Sequence, residues 1–131
     1  VMPIDQSLVG REFPPTRPYA VAEEKVREFA VAVGTPYDGG SVPATFPIVL
    51  AFDAMNQFLE AEQVELFRIV HGEQRFHYER PIRPGDVLTA TAVEQTSTNR
   101  LAFSEITVRN QDDVIVALFR GTVYRTRKPL P

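Results

Sequence analysis

The stretch "PIVLAFDAMNQFL" limits the possible folds of this chain more than any other part of the sequence. From Ile48 onward, apolar side chains recur at three- and four-residue spacing, and further apolar residues widen the stripe until little polar face remains. Such a helix is stable only when other elements cover it. The fold must therefore enclose a helix over residues 47–59.

The second half of the chain can supply that cover. Beyond Glu65 the apolar period changes from that of a helix to that of a strand. Short polar turns separate the strand-like segments, so we expect consecutive strands to pair antiparallel. A sheet with one apolar face can wrap an apolar helix, which predicts an α+β chain with a single domain over residues 1–131. The four segments, rich in β-branched and aromatic residues, are the one around Phe76 and Tyr78, then 87–93, 101–108 and 114–124.

A second, amphipathic helix is predicted before the apolar one. Three prolines between residues 14 and 18 favour an extended approach, and "AVAEEKVREFAVAVG" then follows helical spacing with Gly34 as its stop. One face of this helix should be buried. The residues expected on that face are Val26, Phe29, Ala30 and Val33.

Composition excludes several classes of function. The net charge is -3 and the basic residues are scattered, so no surface matches a nucleic-acid backbone. The chain has no cysteine, hence no disulfide and no cysteine-ligated zinc site. The most apolar run, residues 46–52, is too short to span a membrane, and the start lacks the pattern of a secretory leader. These features predict a soluble, cytoplasmic protein without metal or cofactor.

The two histidines lie six residues apart in one predicted strand. At roughly 3.3 Å per residue they are about 20 Å apart in a straight strand, too far to share a metal ion or a proton. His77, between Phe76 and Tyr78, is expected on the solvent face of the sheet. His71 is either structural or part of a site, because Gly72 beside it permits a bulge or a close approach by a ligand.

Three segments together resemble a known family. "YAVAEEKVREFAVAVG", "VPATFPIVLAF" and "VHGEQRFHYERPIRPGDVLTATA" look like the MaoC-like dehydratase N-terminal family, whose members include A subunits of mycobacterial (3R)-hydroxyacyl-ACP dehydratases. The resemblance covers nearly the whole chain. It implies a hot-dog fold, in which a curved antiparallel sheet wraps a long central helix.

One departure from the family bears on catalysis. Active hydratases of this superfamily carry an Asp and a His in the loop before the central helix, followed by a segment whose amides face the thioester carbonyl. The segment 42–46 resembles the latter, but only one acid, Asp38, and no histidine lie between Gly34 and Val42. Reversible dehydration needs one group to take the C2 proton and another to protonate the leaving hydroxyl. The resemblance therefore implies an A-type subunit that holds the acyl chain, while a B-type partner supplies the catalytic pair.

The leading hypothesis is an acyl-chain-binding subunit of a (3R)-hydroxyacyl-ACP or -CoA dehydratase in fatty-acid metabolism, with no catalytic residue of its own. Its ligand would be an acyl-ACP or acyl-CoA thioester, and its partner a B-type subunit. The alternatives are an acyl-thioester hydrolase that uses Asp53 and a non-enzymatic homodimer. The residues expected to contact the acyl thioester are Val42, Ala44, Thr45, Phe46, Ile48, Phe52, Met55, His71 and Gly72.

Overall fold

The described part of the chain forms two helices and five strands. The computed structural model describes residues 10–61, 69–97 and 101–126. The predicted strand start at Glu65 lies outside these residues. The elements in chain order are β1 (Tyr19–Ala20), α1 (Glu23–Val33), α2 (Ile48–Ala61), β2 (Ile69–Tyr78), β3 (Val87–Ser97), β4 (Leu101–Arg109) and β5 (Ile115–Arg125).

Helix α1 has the polarity and the stop that the sequence predicts. Glu23 and Glu24 lie in its first turn, where the positive end of the helix dipole stabilises carboxylates. Gly34 follows with φ of 70°, and its amide closes the helix on the carbonyls of Ala30 and Val31. Val26 and Ala30 are buried and Phe29 is half-buried, as expected. Val33 is exposed, contrary to expectation, because the helix ends there and the chain turns away.

The five strands form one curled antiparallel sheet in the order β1-β3-β4-β5-β2. The expectation that consecutive strands pair is right for β3, β4 and β5 but wrong for β2, which pairs with β5. The connection over residues 79–86 makes this possible by crossing the end of the sheet. On the way, Ile82 O accepts a hydrogen bond from Val42 N and Gly85 N donates one to Val21 O, both 2.8 Å long.

Strand β1, which is not among the four predicted strands, lies in the proline-rich segment predicted to run extended. Its two residues pair with Val87 and Leu88 at the edge of β3. The same segment continues along that edge, where Thr16 N donates to Ala90 O and Thr16 Oγ1 accepts from Ala90 N. The prolines thus leave enough amides free for the segment to cover one edge of the sheet.

Helix α2 fills the concave face of the sheet, which confirms the predicted wrapping. Leu50, Ala51 and Ala54 are 1–2% exposed and belong to the main core together with inward-facing residues of β3, β4 and β5. Within the described residues, neither helix has the length and apolar content needed to cross a bilayer.

We predict that two valines of α1 differ sharply in their contribution to stability. Val26 is fully buried, whereas Val31 is 82% exposed on the same helix. Val26→Ala should lower the free energy of unfolding by about 2 kcal/mol, since it removes buried methyl groups and leaves a cavity. Val31→Ala is the matched control and should change it by less than about 0.5 kcal/mol. Urea titration measures both, and equal effects would contradict the assigned packing of α1.

Candidate functional site

The start of α2 presents two unpaired backbone amides. Residues 44–47 form a turn in which Phe46 N donates to Pro43 O and Ile48 N donates to Thr45 O. Ala44 and Thr45 are exposed, and among the described residues their own amide nitrogens have no hydrogen-bond partner. Both lie at the positive end of α2, so this turn can accept a partly negative oxygen.

Tyr78 fixes this turn against the end of β2. Its hydroxyl donates a hydrogen bond to Ala44 O, which turns the Ala44 carbonyl toward the sheet. Burial raises the pKa of Tyr78 to about 12, so the phenol is neutral at physiological pH and acts as a donor. A surface cavity of about 390 Å³ lies beside it, lined by Ser41, Val42, Ala44, Tyr78, Arg80 and neighbouring residues.

The loop before this turn contains no acid–base pair. Asp38, its one acid, accepts a hydrogen bond from Gly40 N at 2.9 Å and so closes a local turn at the surface. The loop has no histidine. Elsewhere in the part of the chain that the structure describes, no three carboxylate or imidazole side chains cluster as metal ligands. The amides at the start of α2 therefore have no general base beside them within this loop.

A narrow, mostly apolar pocket lies between α2 and the sheet. It brings together four of the predicted contact residues: Ile48, Phe52 and Met55 from α2, and His71 from β2. The Phe52 ring meets the His71 ring edge-on, with centroids 5.8 Å apart. The cavity volume is only about 10 Å³, which is room for about one water molecule. The remaining lining residues are Ala51, Gln74, Ser104, Ile106, Gly121 and Val123.

A bulge at Gly72 places His71 in this pocket. The register between β2 and β5 shifts between His71 and Glu73, so His71 and Gln74 both face inward although they are three positions apart. Their side chains are joined by a hydrogen bond of 2.9 Å between His71 Nε2 and Gln74 Oε1. Because an amide oxygen can only accept, this contact places a proton on Nε2.

Five of the predicted contact residues do not line this pocket, and three of them, Val42, Ala44 and Thr45, lie just before α2. Phe46 is buried in the main core, where its ring meets Phe29 edge-on at 5.4 Å. Gly72 is exposed at the bulge. His77 faces solvent and pairs with Glu79, as expected of a surface residue.

Asp53 occupies the exposed side of α2 and does not line the pocket. Its charge acts instead near Tyr19. Burial raises the pKa of Tyr19; the Lys25 charge opposes this increase, while the Asp53 charge adds to it. The carboxylate therefore lies on the exposed, polar side of the helix rather than in the pocket.

Three pocket residues could not be assigned from the pattern alone: Gln74, Ser104 and Gly121. Alternation from Phe76 places Gln74 on the inward face of β2, but a polar side chain there does not by itself indicate a pocket. A signal was nevertheless present in Gly121, since glycine inside a strand often marks a close approach. A Cβ atom at this position would lie 3.0 Å from Gln74 Oε1, so glycine makes room for the glutamine side chain.

Fold and site together define a hot-dog domain with an apolar pocket beside its central helix. Residues 7–119 match the family model described as "FAS1-like, dehydratase domain region", and the chain belongs to this family. Two curated relatives are UPF0336 proteins of Streptomyces. The one from Streptomyces avermitilis is 39% identical over 84% of each chain, and the Streptomyces coelicolor protein SCO4636 is 45% identical over 70% of this chain and 71% of its own.

Solved structures confirm the hot-dog fold and the resemblance to MaoC-like dehydratases. The C-terminally truncated HadBC (3R-hydroxyacyl-ACP dehydratase) complex from Mycobacterium tuberculosis superposes with a TM-score of 0.78 and 25% identity, covering 93% of this chain and 99% of that one. A MaoC-like dehydratase gives 0.75 and 25%, covering 92% of this chain and 42% of that one. The chain is thus a hot-dog domain of the dehydratase type.

We predict that Tyr78 makes stability depend on pH in the alkaline range. The pKa of its phenol is about 12 in the folded chain against an ordinary value of 10.0, so the folded state holds the proton more tightly. The resulting stability is present below pH 10 and is lost as the pH rises toward 12. The free energy of unfolding, measured by urea titration across this range, should fall more steeply in the wild type than in Tyr78→Phe. Equal slopes would contradict the burial of this phenol.

Proposed function

We propose that this chain is the acyl-binding, noncatalytic subunit of a (3R)-hydroxyacyl-ACP or -CoA dehydratase in fatty-acid metabolism. The observation that carries the proposal is that two free amides at the start of α2 follow a loop that has no acid–base pair. Ala44 and Thr45 would hold the thioester carbonyl, and the acyl chain would run along Ile48, Phe52 and Met55. The family and the dehydratase neighbours support the same reaction class.

The acyl chain requires the pocket to widen. A volume of about 10 Å³ does not admit a hydrocarbon chain, so at least one lining side chain must move. Phe52 is the candidate because it is 39% exposed and makes an edge contact with His71 rather than packing in the core. Its rotation would open the pocket toward the exposed side of α2.

A partner would lie against β2 and the exposed side of α2. Strand β2 is at the end of the sheet, and no described strand pairs with its outer edge along ten residues. Beside it, α2 exposes Phe52 and, one turn earlier, Val49 at 38%. An unpaired edge next to apolar side chains is a surface that a second hot-dog chain can cover. The occupant proposed is a B-type subunit, with a homodimer as the alternative.

We predict that dehydratase activity appears only when the two kinds of subunit are combined. Hydration of medium- and long-chain trans-2-enoyl-CoA, followed by loss of the enoyl absorbance, should be absent with this chain alone. Mixing with a B-type subunit should raise the rate at least about 100-fold over either chain, since the acid–base pair then meets the bound substrate. Turnover by this chain alone would overturn the noncatalytic role, and a mixture no faster than the B-type subunit would overturn the subunit role.

Thioester hydrolysis by Asp53 is tested with the same preparation. Asp53 lies outside the pocket, which argues against direct attack on a bound thioester. Hydrolysis would be established if this chain released free CoA from acyl-CoA and Asp53→Asn did not.

The cytoplasmic location predicted from the sequence stays a prediction.

We predict that Val49→Asp weakens association with the partner. The substitution places a carboxylate where the proposed interface buries an apolar side chain, and the dissociation constant should rise at least about tenfold. Val31→Asp is the control, because Val31 is a more exposed valine on α1, away from β2. Sedimentation velocity with the B-type subunit measures both variants. Weakening by Val31→Asp alone would place the interface elsewhere.

A further inference from the structure

Across β2, β5 and β4, the inward face of the sheet includes one row without any apolar side chain. Each row runs across β2, β5 and β4. Phe76, Phe119 and Ile106 form one apolar row. The next row toward the far end of α2 consists of Gln74, Gly121 and Ser104, and the pocket lies directly over it. A polar row inside an apolar pocket is costly unless something hydrogen-bonds to it.

The hydrogen-bonding capacity of this row is only partly used. Gln74 Oε1 accepts a hydrogen bond from His71 Nε2, but Gln74 Nε2 reaches only Arg75 O, at 3.5 Å. Ser104 has no hydrogen-bond partner among the described residues for its side-chain hydroxyl. The row therefore offers a free donor from the Gln74 amide and both a donor and an acceptor from Ser104.

The size of the cavity fits a single oxygen. Its volume of about 10 Å³ corresponds to one water-sized group, placed where Gly121 removes a side chain. A hydroxyl matches a row that both donates and accepts, whereas a keto oxygen can only accept. We call the space over Gly121, between Gln74 and Ser104, the niche. Its hydrogen-bonding groups favour an alcohol.

The position of the niche separates it from the reacting hydroxyl. Phe52, which covers it together with His71, is seven residues beyond Thr45, or about 10 Å along a helix that rises 1.5 Å per residue. A 3-hydroxyl lies only two carbons from the thioester carbonyl held at the start of α2. Any hydroxyl that reaches the niche must therefore be a second one, farther along the acyl chain.

Building on the proposed acyl-binding function, we propose that Gln74, Ser104 and His71 form a specificity subsite for acyl chains that carry a hydroxyl group remote from the thioester. Gln74 and Ser104 hydrogen-bond the hydroxyl, and His71 is a positioning residue that holds the Gln74 amide. An unsubstituted chain displaces water from the niche and leaves these groups unpaired, which weakens its binding.

The test compares acyl-CoA ligands of one chain length. One ligand is saturated and unsubstituted, and the others carry a single hydroxyl moved carbon by carbon from the 3-position toward the chain end. Dissociation constants are measured by calorimetry with the 131-residue chain, alone and mixed with a B-type subunit. At one remote position the hydroxylated ligand should bind at least about tenfold more tightly than the unsubstituted one.

Two variants assign that preference to the niche. Gln74→Met keeps the length of the side chain but removes its hydrogen bonds, and Ser104→Ala removes the hydroxyl with a smaller change in packing. Each should reduce the preference to about threefold or less, while circular dichroism confirms that the variant is folded. Gln57→Met is the matched control, since Gln57 is on α2 but does not line the pocket, and it should retain the full preference.

The outcomes separate the subsite from the function on which it depends. If no acyl-CoA binds, either to the chain alone or to the mixture, acyl binding itself is wrong and the subsite falls with it. If acyl-CoA binds but no hydroxyl position is preferred, acyl binding stands and the subsite is overturned. A preference that survives in both folded variants also overturns it.

Discussion

Helix α2 can exist only because the curled sheet removes its apolar surface from water, and the details of that contact create the rest of the site. Alanines at positions 51 and 54 let the helix approach the sheet closely, and among the described strands it comes nearest to β3. It lies farther from the strands on the other side of the sheet, and side chains fill this wider space incompletely. The pocket over β2, β4 and β5 is therefore a consequence of how the helix is seated. The same position of the helix leaves the start of α2 at the surface. The free amides at this start and the pocket therefore lie along the same helix.

The proposed function assigns ligand binding to this chain and proton transfer to a partner. Backbone amides at a helix start stabilise an oxygen that gains negative charge, and this needs no particular side chain. Proton transfer does need side chains, and here the preceding loop offers only Asp38, whose carboxylate is engaged in a local turn with Gly40. On the proposed function, the chain would bind and orient a thioester, and dehydration would need groups from elsewhere. The proposed two-subunit enzyme follows from this asymmetry, since the reaction requires an acid and a base that must then come from another chain.

The spacing of apolar residues and the turn-forming residues predicted the helices and most strands. Neither feature encodes which strands become neighbours. The apolar spacing predicted α2 to within two residues, and Gly34 marked the end of α1. The pairing of β2 with β5 depends on a crossing connection, whose hydrogen bonds to distant residues leave no periodic trace. Strand β1 is two residues long and follows prolines, so no alternation can reveal it. Alternation from Phe76 places Gln74 on the inward face, but a polar side chain there does not by itself indicate a pocket. The inward position of His71 has a different cause, because a bulge changes the face of the residues beyond it and alternation counted from Phe76 through Gly72 puts His71 on the outer face.

That bulge links the pocket to the outer edge of the sheet. Because the register shifts at Gly72, His71 faces inward, contacts Phe52 and hydrogen-bonds Gln74, although all three lie on or beside the edge where a partner is proposed. A chain that pairs with the free edge of β2 would restrict the bulge and cover the exposed side of Phe52. On the proposed function, the position of the Phe52 ring would in turn decide whether the pocket has room for one oxygen or for an acyl chain. On the proposed function, subunit association and chain binding would then act on the same few side chains, and each would stabilise the conformation that the other requires.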